Sequence, residues 1–66
     1  MERTVLSANI AALRKHLNMK QSAFAEAVGA DQSYISKWET KNSEPSARPL
    51  ARMAQLAGVN VDDFID

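Results

Sequence analysis

Residues 28–39 read VGADQSYISKWE, and the fold turns on them. Gly29 accepts a left-handed backbone without a Cβ penalty, so a helix arriving from the N-terminal side ends there. Asp31 stands where a side-chain oxygen can accept from the free amides of a new helix, predicted over about Gln32 to Thr40. At about 100° per residue with Gln32 as origin, Trp38, Ile35 and Glu39 fall near about 240°, 300° and 340°. Gln32, Ser36, Thr40, Ser33 and Lys37 fill the arc from about 0° to 140°, and Tyr34 lies on the boundary. One edge is suited to a core. The other is a stripe of short hydrogen-bonding side chains ended by a lysine.

Working outward, Phe24, Ala25 and Val28 share one face of a helix predicted over Gln21 to Val28. Before it, Leu6, Ile10, Leu13 and Leu17 recur at spacings of four, three and four, which predicts a helix from Thr4 to Leu17 with Asn18 and Met19 as connector. After the central stretch comes KNSEPSARP, rich in turn formers, where Pro45 prevents a simple continuation. A fourth helix is predicted from Ser46 to Ala57, with Leu50, Met53, Ala54 and Ala57 inward and Gly58 ending it. Asn60 is placed to cap a last short helix, Val61 to Ile65. Five short helices without a strand, joined by short loops, predict an all-α fold: a compact orthogonal bundle forming one domain over residues 1–66.

A chain of this length buries only about 60% of the surface it exposes when unfolded, so modest stability is expected. The absence of cysteine excludes a disulfide framework and a thiolate metal site, and it points to a cytoplasmic setting. No signal peptide is recognisable, and no apolar run approaches the roughly 20 residues that span a bilayer. The formal net charge is zero. That total conceals a partition: between Arg14 and Arg52 seven basic residues face four acidic ones, while Asp62, Asp63 and Asp66 lie at the C-terminal end.

The polar stripe of the third helix has the chemistry of groove readout. A glutamine carboxamide can pair bidentately with adenine N6 and N7, and a serine hydroxyl can donate or accept at either kind of base edge. An ordinary solvated helix face is the plainer reading of the same residues. For Tyr34 the choices are partial packing, a phosphate hydrogen bond or contact with a thymine methyl. The turn sharpens the choice: Ala25 keeps two crossing helices close, Gly29 follows at +4, and Ile35 and Trp38 follow at +10 and +13. That spacing is a helix-turn-helix signature.

QSAFAEAVGADQSYISKWETKNSEPS resembles the helix-turn-helix of the xenobiotic-response-element (XRE) family, which includes lambdoid phage repressors and Cro proteins. The resemblance extends to Arg14 in the first helix, Pro45 before the fourth and the closing GVNVDDFI. It implies a lambda-repressor-like DNA-binding domain whose third helix lies in the major groove. By position it implies that Gln32, Ser33 and Lys37 read bases, with Tyr34 at the edge of that set. It implies phosphate contacts for Gln21, Asn42 and Ser43, to which Lys41 and Arg48 are added as basic residues nearby. Gln21 would also brace the first reader, and Lys41 stands where many relatives have glycine.

Further expectations follow from the resemblance. Arg14 and Glu39 would form a water-shielded ion pair joining the first and third helices, so that removing one partner leaves a poorly solvated charge at a cost of about 3–5 kcal/mol, whereas an exposed pair would matter little. Val59, Val61, Phe64 and Ile65 would form the contact of a weak two-fold homodimer strengthened on double-stranded operator DNA, although Val61 and Ile65 serve equally well as core closure. An enzyme is disfavoured: His16 is the only histidine and sits on a polar edge, and neither a phosphate loop nor a metal cluster is recognisable. No cofactor, membrane or small-molecule ligand is implied. An antitoxin is also disfavoured, because such proteins often carry an additional segment for the toxin, and none is expected before Thr4 or after Asp66. A restriction-modification controller would use the same helix-turn-helix.

Overall fold

The computed structural model describes residues 4–40 and 43–65. Its elements are α1 (Thr4–His16), α2 (Gln21–Val28), α3 (Gln32–Glu39), α4 (Ala47–Ala57) and α5 (Val61–Ile65), with no strand among the described residues. The all-α architecture expected from the hydrophobic spacing is the one observed. Three helix ends differ by one residue: α1 stops at His16, α3 at Glu39, and α4 begins after Ser46.

The reason at the end of α1 is instructive. Asn18 is the only described residue other than glycine with positive φ, at 58°. Around it the Met19 amide donates to the Arg14 carbonyl and the Asn18 amide to the Lys15 carbonyl, both the reversed bonds of a Schellman closure. Gly29 and Gly58 close α2 and α4 in the same way, at φ 75° and 76°. Asparagine thus does at the first turn what glycine does at the other two. At the start of α4, Ser46 is the N-cap, but its side chain makes no cap bond. At the end of α3 the Thr40 hydroxyl turns back to the Ser36 carbonyl at 2.8 Å, and its backbone leaves helical values.

The core is continuous across all five helices. Leu6, Ile10 and Leu13 from α1 meet Phe24, Ala25 and Val28 from α2, Ile35 and Trp38 from α3, Met53 and Ala54 from α4 and Phe64 from α5. Phe24, Ile10, Ile35 and Met53 are the large side chains fully withdrawn from water, each contributing about 1.5–3 kcal/mol of burial. Leu17, Leu50, Ala57 and Val61 close its margins. Ala25 is buried on α2, and α2 packs against α3. Pro49 is also buried, in the first turn of α4, where its missing N–H would have had no helical partner.

Two side chains of α1 tie the bundle together over long distances. Asn9 donates through Nδ2 to the Phe64 carbonyl at 2.6 Å, clasping α5 onto the first helix. Arg14 reaches in the other direction, to α3 and to the Met19 carbonyl at 3.1 Å. Among the described residues no helix is long and apolar enough to cross a membrane.

Candidate nucleic-acid interface

The surface that α3 offers is set by what fixes it from behind. Ile35 and Trp38 sink into the core, and Asp31 caps the N-terminus by accepting from the Gln32 amide at 3.1 Å. A carboxylate at this end also complements the helix dipole. Gln32, Ser33, Ser36, Lys37 and Thr40 are then exposed along one face, and Tyr34 is 48% exposed at its border. Gln32, Ser33 and Lys37 therefore lie on one accessible surface. The Ser33 hydroxyl makes a long bond to Asp31 at 3.5 Å, leaving its oxygen free to accept.

The C-terminal end of α3 is anchored by charge. Arg14 Nε donates to Glu39 Oε2 at 2.6 Å and Nη2 to Oε1 at 3.1 Å, a bidentate pair whose side chains are only 18% and 10% exposed. The hydrogen bond to Glu39 raises the Arg14 guanidinium above its usual pKa, burial opposes this, and the Glu39 charge adds to the rise. Such a pair removes two charges from any count available to a partner.

Gln21 sits at this end too. Its Nε2 donates to Glu39 Oε1 at 3.5 Å, so the bond it makes within the chain is to the far end of α3 and not to Gln32. The start of α2 packs against the Arg14–Glu39 anchor, which is where a half-buried Gln21 side chain finds an acceptor.

Beyond α3, Ser43 is half-buried and its hydroxyl oxygen is covered by the chain without a hydrogen-bond partner. Reaching a phosphate would require that hydroxyl to turn outward. Lys41 and Asn42, both expected at phosphate, lie outside the described residues. Arg48 is exposed in the first turn of α4 and shares a concavity of about 370 Å³ with Arg52, Ser46, Pro49, Val28 and Gly29. Arg52 was not singled out from the sequence. Its spacing of four from Arg48 puts both on one face of α4, and that is the signal that would have found it.

The expected dimer contact divides in the structure. Val59 and Ile65 are exposed at 43% and 39%, Val61 is half-buried against the core, and Phe64 is buried. The Phe64 ring is largely taken up by the chain's own core, and only its edge lines the groove beside Leu56 and Val59. Leu56, equally exposed at 39%, joins Val59 on the surface and was missed because it falls outside the inward stripe of α4. His16 and Asp63 line that groove with Leu56 and Val59, and no group of three or more metal-ligating side chains occurs among the described residues.

Comparison with known proteins places this architecture. The HTH_3 family, described as helix-turn-helix, matches residues 10–64. The crystal structure of the P22 c2 repressor protein in complex with synthetic operator 9T superposes with a TM-score of 0.80 at 28% identity, covering 91% of each chain. A hypothetical transcription factor, NHTF, from Neisseria gives a TM-score of 0.81 at 26% identity, over 100% of this chain and 76% of that one. The solution structure of the DNA-binding domain of the P22 c2 repressor gives 0.79 at 28% identity, covering 98% and 86%. No curated protein matches the chain. With α2 and α3 packed about the Gly29 turn, and with the family match running from the first helix into the last, the chain belongs to the helix-turn-helix family of XRE-type repressors.

Proposed function

We propose that this protein is a sequence-specific transcriptional regulator of the phage or bacterial repressor and Cro type, binding double-stranded operator DNA with α3 in the major groove. The observation that carries the reading is the division of α3. Ile35, Trp38 and Glu39 fix it to the scaffold while Gln32, Ser33 and Lys37 stand exposed together on the other side. Gln32 reads an adenine edge, Ser33 an adjacent position, and Lys37 a base one turn further along. Arg48, with Lys41, Asn42, Gln21 and Ser43, meets the phosphates on either side. The relatives include a repressor bound to an operator, which supports the same partner here.

A two-fold homodimer on a palindromic site completes the proposal, with two recognition helices about 34 Å apart in successive major grooves. Exposed Val59, Ile65 and Leu56 supply its apolar contact, with Val61 at the margin. So little surface favours a dimer that is weak in solution and tightened by DNA.

Selection of bound duplexes from a random pool tests the reading. An enriched palindrome supports it, and Gln32→Ala should then relax preference at one base pair per half-site by about 1–3 kcal/mol. Absence of any enrichment would instead favour a protein-interaction module such as an antitoxin. Arg48→Ala should behave differently, weakening binding to every sequence alike and reducing the salt slope by about one. A series of titrations at increasing salt reads that slope, and an unchanged value would remove Arg48 from the phosphate contacts.

A further inference from the structure

Tyr34 is half exposed, yet its ring is held. It stacks on Trp38 with centroids 5.9 Å apart and planes inclined by 14°. Trp38 is itself locked in the core beside Ile35. From the Tyr34 ring the Lys37 ammonium stands 5.6 Å away, over the centroid. A chain of contacts therefore runs from the core, through an indole and a phenol, to the one lysine on the exposed face of α3.

Each link has a physical cause. Positions three and four apart are neighbours on a helix, so Tyr34 meets both Lys37 and Trp38. The negative face of an aromatic ring attracts an ammonium ion. A lysine is among the side chains with most rotamer freedom to lose, and a contact that needs its ammonium at one base edge must order it. A ring that has already narrowed those rotamers lowers that cost and biases which base edge the ammonium meets.

We propose that Tyr34 is a positioning residue for Lys37: it sets the base pair that Lys37 reads and makes no base contact of its own. This rests on the DNA-reading role given to α3 above. It also revises the place of Tyr34, which moves from the edge of the reading set to its support.

The test compares the 66-residue chain with its Tyr34→Phe, Tyr34→Leu, Lys37→Met and Gln32→Ala variants. Each is put through selection from a random duplex pool, with thermal melting recorded alongside. Lys37→Met should flatten preference at one base pair per half-site. Tyr34→Leu, which keeps an apolar side chain and removes the π face, should weaken preference at that same pair by roughly two- to five-fold and leave the Gln32 position untouched. Tyr34→Phe, which keeps the ring, should match the wild type. The proposal is overturned if Tyr34→Leu leaves that pair unchanged, or weakens all positions equally together with a lowered melting temperature. It is equally overturned if Tyr34→Phe shifts preference, since the hydroxyl would then be reading DNA directly. Should Lys37→Met change nothing while Gln32→Ala does, the inference fails and the role of α3 stands. Should the wild type enrich no sequence, the DNA-reading role itself fails.

Discussion

Phe24→Ala is expected to remove a large part of the chain's stability, about 3–5 kcal/mol. The ring is fully buried on α2, in the cluster that joins all five helices. Loss of transfer energy together with the cavity costs about 3–5 kcal/mol for such a truncation. At usual per-residue values a chain of this size has only about 3–10 kcal/mol to lose. Urea denaturation followed by far-ultraviolet circular dichroism should show the midpoint collapsing with little change in slope. A loss below about 1 kcal/mol would mean that α2 is not packed as described. If the proposed partner is correct, operator DNA at about 100 times its dissociation constant restores roughly 2.7 kcal/mol by mass action. Binding by this variant should therefore look cooperative with folding.

Arg14→Met is expected to cost about 3 kcal/mol, the lower end for breaking a shielded pair, because both partners retain some exposure. Glu39 would be left as a largely desolvated carboxylate with only the long Gln21 bond at 3.5 Å, and the Met19 carbonyl would lose a donor. For a domain this small the melting temperature should fall by roughly 12–24 °C. Replacing both partners, Arg14→Met with Glu39→Met, should recover most of the loss, since an apolar pair carries no desolvation penalty. A double variant as unstable as the single one would show that geometry, not the stranded charge, sets the cost. The pH sign is unambiguous for the arginine. Its raised pKa gives a contribution that is complete below the ordinary guanidinium range and is lost only as pH climbs through the raised value. No loss on the acid side should arise from Arg14 itself.

Where local rules act, the sequence could be read. Gly29 ends α2 because the chain needs φ of 75° there, Asp31 starts α3 through its own side chain, and Ile35 with Trp38 follow from a period of about 3.6 residues. The Arg14–Glu39 contact spans 25 positions and was reached through family resemblance, not periodicity. The Asn9 bond to the Phe64 carbonyl, 55 positions away, left no local trace at all. The burial of Phe64 is hidden for the same reason: a five-residue helix has too little length for its pattern to say which side meets the core. Tyr34 fell on a helical boundary, and only the stacked indole resolves what a boundary position does.

Asn9 and Arg14 stand five positions apart on α1, about 7.5 Å along its axis, and hold α5 and α3 respectively. The first helix is therefore a strut between α5, which carries the exposed Ile65, and α3, which presents Gln32. In the proposed dimer, a second copy seated against α5 would set the reach of α3 through this strut. On an operator of altered half-site separation such a pair cannot stretch. It must release one half-site or twist the DNA to meet it.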